Sequence, residues 1–485
     1  MFNGVHLTKT TRRCDRIGAT QAMMTKHLSD KTNEDFRPAI PSRPALRLAR
    51  AILPFAMRRR AVVRIDISAQ DINRLRALRR ERVVLTPNHP TNNDPAIVFE
   101  LSRRARMPFH YLCCREAFDD WGGAWGKLIQ RIGAYSVVRG TVDRESFRYT
   151  RGLLARPGAK LVIFPEGEVY SQNDSLLPFQ TGAIQLAAWG REEARKTEPN
   201  AQVWLLPCAV HYQFTQDVRP ALRQKLSRLE KHLELKPSAS DIYSRMRRVS
   251  LHVLQCVERE YGLDWKEVHP RETRDAQETR DAQETAKDST GANADEHHSA
   301  HDLSPHDLSP RFDAAKNAGL ERAARLLEVD VPRGTLPEKM RVLLHAAEVE
   351  MHSLDGPQKS GEKTDDEKHN GEKDDSEAAP LLLRPLLQME RAERVRRAWK
   401  DLRRLSNWIA VYDGYVRLHP STEHIAEVIQ RLEVEVFGKS EVAGPRIATL
   451  RLGEPIPLSE AINRKALPAL TLQLEQAVGE LLQRA

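Results

Sequence analysis

His89 and Asp94 share one short stretch, Asn88-His89-Pro90-Thr91-Asn92-Asn93-Asp94-Pro95, directly after the apolar run Val83-Val84-Leu85. An imidazole at the mouth of a buried strand, with a carboxylate one tight turn away, is equipped to take a proton from an alcohol. The carboxylate accepts from one ring nitrogen, fixes the tautomer and stabilises the imidazolium that forms. Pro90 and Pro95 bracket a loop that continues neither as helix nor as central strand, which favours a rigid geometry. Taken alone the spacing is unspecific. A histidine capping a turn and an aspartate capping a helix that starts near Pro95 fit it too.

The surrounding elements narrow the choice. Leu161-Val162-Ile163-Phe164 is a second short apolar run and leads straight into Pro165-Glu166-Gly167-Glu168. Between the two, Gly133 opens an apolar stretch that delivers Arg139 at its end, and a fourth run from Val203 to Val210 is expected to break at Pro207. Four apolar runs, each closed by polar, proline or glycine residues, predict strands of an α/β sheet whose ends line one site.

In this order the set resembles the glycerolipid acyltransferase family typified by lysophosphatidate acyltransferase. The family's Asn-His-x4-Asp block matches Asn88 to Asp94, and its glycine, short strand and arginine match Gly133 to Arg139. Phe-Pro-Glu-Gly matches Phe164 to Gly167, and a proline-bearing apolar strand matches Leu205 to Val210. The resemblance covers residues 80–214. It implies transfer of a fatty acyl group from a thioester, acyl-CoA or acyl carrier protein, to a hydroxyl of a glycerolipid or lysophospholipid-like acceptor, with no metal and no further cofactor. His89 would be the general base and Asp94 its orienting acid, and because the acceptor itself attacks, no acyl-enzyme is required. Arg139 would fork onto an acceptor phosphate. Glu166 and Gly167 would shape the acceptor site, with Asn88, Gly133 and Pro207 as further substrate-binding positions. One departure matters. Where the family usually continues Thr-Arg-Ser, this chain has Glu168-Val169-Tyr170, so a phosphate contact is lost and an acid is gained. Arg144, Arg148 and Arg151 are the nearby cations that would replace it. Two rival readings keep the same fold: a non-catalytic lipid-binding or scaffolding protein, and a thioester hydrolase in which the base activates water.

The chain has 485 residues and a net charge of +9, unevenly spread. Residues 41–60 hold six arginines and no acid, interleaved with apolar residues from Pro44 to Met57. That is a basic amphipathic segment suited to anionic lipid headgroups, its apolar stretches too short to span a bilayer; the rival reading packs its apolar face on the catalytic domain. Nucleic-acid binding is disfavoured, since no aromatic-basic interleaving or known module accompanies the charge. Residues 1–40 are polar, lack a signal-peptide core and are expected to be disordered. Cys14, Cys113, Cys114, Cys208 and Cys256 form no disulfide or zinc pattern, which fits a reduced cytoplasmic protein, peripheral at the inner face of the cell membrane.

Beyond residue 214 the character changes to helical periodicity rich in Arg, Lys and Glu. Two low-complexity linkers interrupt it, at 268–311, where Glu272 to Gln277 repeats as Glu278 to Gln283, and at 355–378. A very basic helix is expected over 381–412, its arginines forming a solvated face more readily than a docking surface. The tail returns to strand alternation between Pro445 and Leu458. The resulting organisation is a mixed α/β sheet flanked by helices over 41–214 plus 441–485, with 215–440 as a largely helical insertion containing the disordered linkers. A separate C-terminal domain is the alternative.

Overall fold

The computed structural model describes residues 36–139, 142–236, 241–263, 308–331, 333–354, 384–411, 415–416, 421–458 and 466–484. The chain divides into two compact units, Met1–Asp217 with Gly444–Ala485, and Val218–Ala443.

The first unit runs α1 (Arg43–Arg59), β1 (Val62–Ile67), α2 (Ala69–Ala77), β2 (Arg82–Pro87), α3 (Asp94–Ala105) and β3 (His110–Cys114). It continues through α4 (Ala124–Arg131), β4 (Ala134–Val137), α5 (Arg144–Leu154), β5 (Lys160–Val162), α6 (Gly182–Arg195) and β6 (Val203–Phe214). After the second unit, β7 (Arg446–Leu452), β8 (Ile456–Pro457) and α13 (Ala466–Gln483) return to it. The fold is mixed α/β. The strand order is β1-β7-β6-β2-β5-β3-β4, with β8 also on β6. Strands β2 to β6 are mutually parallel, and β7 pairs antiparallel to β6 and parallel to β1.

Parallel strands covered by helices on both faces read as continuous apolar runs, because alternate side chains enter two different cores. In β2, Val83 and Leu85 enter one core with Ile97, Val98 and Leu101 of α3. Val84 enters the other, with Leu153 and Leu154 of α5, Ile184 and Ala187 of α6, and Leu474 and Val478 of α13. β7 is therefore no edge strand: Ala448 and Leu450, both fully buried, sit between β1 and β6.

Two expectations need correction. β6 does not break at Pro207; it runs unbroken for 12 residues. The reason is a change of neighbour. On one side β6 pairs with β8 at Trp204 and Leu205 and with β7 from Cys208 onward. Pro207 falls in the gap, where no N–H is required, and its carbonyl still accepts from Gly453 N–H at 2.9 Å. The second concerns the N-terminal segment expected to be disordered through residue 40. Residues 1–35 lie outside the described residues, but from Phe36 the chain runs along the outer edge of β4. Ser136 N–H donates to Arg37 O, Arg37 N–H to Ser136 Oγ, and Phe36 meets Tyr135 and Tyr149. An unpaired strand edge is thereby covered.

Helix α1 divides its apolar residues. Leu53 and Met57 are buried and Leu46 and Ala49 pack beside them, whereas Leu48, Ile52 and Phe55 are exposed.

The second unit is helical: α7 (Arg219–His232), α8 (Ile242–Tyr261), α9 (Ser309–Leu327), α10 (Leu336–Leu354), α11 (Arg384–Trp408) and α12 (Thr422–Phe437). The sequence-repeat linker expected over 268–311 lies outside the described residues up to 307, its last residues 309–311 instead opening α9, and the linker expected over 355–378 lies wholly outside them. Most of the basic charges of α11 that are described are matched by acids. Arg391 bonds Glu350, Arg394 bonds Glu328, Arg396 and Arg397 bond Glu393, and Arg404 bonds Glu435. Glu260 gathers Lys400, Arg322 and Arg404; burial opposes its ionisation, but these partners hold its carboxyl down to about 2.

Candidate active site

All parallel strands end on the same side of the sheet, and the loops that follow β2 and β5 meet there. The centre of the cluster is Asp94, at the first turn of α3 and fully buried. It does not cap its own helix. Its carboxylate turns back into the loop and accepts from His89 Nδ1 at 2.9 Å, Thr91 N–H at 2.8 Å and Thr91 Oγ1 at 2.9 Å. Tyr212 Oη supplies a fourth donor at 2.5 Å. A buried carboxylate is stable only when its lone pairs are filled by donors, and here each oxygen has two. The α3 N-terminus adds a favourable dipole.

His89 is held on three sides. Asp94 occupies Nδ1, the Phe164 ring stacks on the imidazole at 4.1 Å with 25° between planes, and the His89 backbone N–H donates to Glu166 Oε1 at 2.8 Å. The side chain keeps 16% of its surface exposed, so with Nδ1 engaged it is Nε2 that remains to meet a ligand. The pair has the geometry of a general base with an oriented tautomer.

Of the expected substrate-binding residues, several make structural contacts within the protein. Asn88 is fully buried and clamps β2 to β6: Nδ2 donates to Val210 O at 3.0 Å and Oδ1 accepts from Val210 N–H at 2.7 Å. Glu166 is buried too. Its two oxygens accept from His89 N–H and Leu177 N–H, tying the loop after β2 to the loop after β5. Burial pushes its carboxyl well above the usual range, against the pull of those donors. Pro207 lies inside the sheet, packed toward Gly453. Gly133 stands at the opposite end of β4 from Arg139, at φ +111, where a Cβ would come within 2.4 Å of Phe109 O, so the glycine permits a close backbone approach.

Gly167 and Arg139 do come together. Gly167 takes φ +74, and a Cβ there would meet Gln180 Nε2 at 2.2 Å. Arg139 reaches the same turn, but its partner is Glu168: Nη1 lies 2.9 Å from Glu168 Oε1, with Glu116 a further 3.7 Å contact. Arg148 and Arg151 turn elsewhere, to Glu145 and Glu193. Thr91 and Tyr212 escaped the sequence reading. Tyr212 had a signal, since strand alternation places it on the same face as Val210, two residues on, where Asn88 docks.

If Asn88 is a clamp, Asn88→Ala leaves the Val210 N–H and C=O buried without partners. Unfolding in urea should then show a loss of about 2 kcal/mol. A variant as stable as wild type would return Asn88 to the ligand-contact role.

A search of curated proteins finds no match to this chain. Residues 67–211, the stretch that holds His89, Asp94, Arg139 and Glu166, match the family model described as Acyltransferase.

Proposed function

We propose that this domain transfers a fatty acyl group from an acyl thioester, of coenzyme A or of a carrier protein, to a hydroxyl of a glycerolipid or lysophospholipid-like acceptor. The observation that carries the reading is the His89–Asp94 contact at 2.9 Å, with Asp94 sealed from water and His89 still open at one nitrogen. The acceptor hydroxyl gives its proton to His89 Nε2 as its oxygen attacks the thioester carbonyl carbon. The carbon–sulfur bond then breaks, and the departing thiolate takes the proton back from the imidazolium. Asp94 stabilises that imidazolium through Nδ1, and no protein nucleophile is needed. Positioning the two substrates together supplies much of the rate.

The same reading places the protein peripherally at an anionic membrane surface, the cytoplasmic inner face, in glycerolipid or phospholipid synthesis. Among the described residues no helix is long and apolar enough to cross a bilayer. Support comes from α1, whose exposed Leu48, Ile52 and Phe55 stand beside Arg43, Arg47, Arg58 and Arg59. α1 packs on α4, and Trp121, just ahead of α4, is 80% exposed. At the end of α1, Arg60 donates to Asn93 Oδ1 in the His89–Asp94 loop, so the lipid-facing helix adjoins the reacting centre. Apolar side chains flanked by arginines suit an interfacial helix, with about 1 kcal/mol per arginine from anionic lipid.

Acceptor-dependent release of free thiol from acyl-CoA tests the chemistry. His89→Ala should slow it by about 10²- to 10⁴-fold with the circular dichroism spectrum unchanged. Full retained activity would remove His89 as the base, release without acceptor would indicate hydrolysis, and no release with any acceptor would leave a lipid-binding protein. For the surface, co-sedimentation should be strong with phosphatidylglycerol-containing vesicles and weak with phosphatidylcholine. Replacing Leu48, Ile52 and Phe55 by serine should abolish it; equal binding by that variant would exclude α1 as the contact.

A further inference from the structure

The cation that a phosphate-bearing acceptor requires is already occupied. Arg139 projects from the end of β4 to the turn after β5, where Glu168 Oε1 sits 2.9 Å from Nη1 and Glu116 Oε2 lies 3.7 Å from Nη2. Both partners are protected: the Glu168 side chain is 13% exposed and that of Arg139 25%. Low exposure makes the Arg139–Glu168 pair stronger than a surface pair would be. A phosphate monoester, at about −1.5 to −2 near neutral pH, would have to displace a carboxylate of this same chain and then sit beside it. Among the described residues, Arg148 is paired to Glu145, Arg151 to Glu193 and Arg115 to Asp119, and Arg144 is exposed, where its charge is screened. Arg60 touches the loop through Asn93 but is exposed, where its charge is screened.

We infer that Glu168 is a specificity-determining residue: by neutralising Arg139 it selects an acceptor whose hydroxyl is not accompanied by a phosphate monoester, an uncharged hydroxyl lipid such as a monoacylglycerol. The inference rests on the acyl-transfer reading above and narrows its acceptor. The Glu166-Gly167-Glu168 turn makes the selection part of the same structure that holds His89, since Glu166 carries the His89 N–H and Glu168 carries Arg139.

The test compares monoacylglycerol with lysophosphatidate of the same acyl chain, using full-length protein and palmitoyl-CoA in mixed micelles. Wild type should favour monoacylglycerol in kcat/KM by about tenfold or more, as a misplaced like charge costs. Glu168→Gln and Glu168→Thr, by freeing Arg139, should shift the ratio toward lysophosphatidate by about tenfold, chiefly through its KM. A purely structural Glu168 would lower both acceptors alike and leave the ratio where it was. Preference of wild type for lysophosphatidate, or an unchanged ratio in both variants, overturns the inference while leaving acyl transfer intact. Absence of thiol release with either acceptor and with a wider panel overturns acyl transfer itself, and the inference with it.

Discussion

A single buried carboxylate organises the site. Asp94 lies with no exposed surface at the first turn of α3, in surroundings where an unsatisfied charge would cost several kcal/mol. Its four donors are therefore obligatory neighbours, and they come from three different places: His89, Thr91 twice from within the loop, and Tyr212 from β6. Fixing the carboxylate fixes the imidazole. The buried Glu166 then repeats the same logic one step out, accepting backbone N–H groups from His89 and Leu177 and joining two strand-end loops into one wall.

The sheet exists to bring those donors within reach. β6 extends past the end of β2, and the Asn88 clamp on Val210 sets the height at which Tyr212 overhangs Asp94. That extension needs support on its far side, which β7 supplies by pairing with β6 from Cys208 to Phe214. The strand that stabilises the site is thus contributed from beyond a helical unit of more than two hundred residues, Val218–Ala443. A strand returned by such a long excursion is held by interior pairing on both edges, to β1 and β6, and not by its own turn.

Much of this was legible in the sequence. Apolar runs of strand length, closed by proline, glycine or polar residues, located β2, β5, β4 and β6, and the alternation around Ile447 to Leu452 located β7. His89 and Asp94 were readable from type and spacing. What spacing does not encode is direction. Asn88, Glu166 and Pro207 sit in the blocks that mark the site, yet each is buried: Asn88 clamps Val210, Glu166 holds the His89 and Leu177 N–H groups, and Pro207 packs inside the sheet. Gly133 marks a tight approach to Phe109 at the far end of its strand. Arg139 was readable as a cation at a strand end; that Glu168 would answer it required the turn after β5 to be folded. Along α1 the composition left two readings open, and the helix buries one set of apolar residues while presenting another outward.

The central claim is that Asp94 acts by holding the proton of His89 on Nδ1. In Asp94→Asn the amide can donate to Nδ1 and move the ring proton to Nε2, where it blocks proton abstraction. The decisive measurement is kcat for acceptor-dependent thiol release by this variant, taken with its melting curve. A fall of about 10²- to 10⁴-fold, with acceptor KM within a few-fold of wild type and a cooperative melt, is the result expected. A folded Asp94→Asn protein that turns over at the wild-type rate would contradict the account.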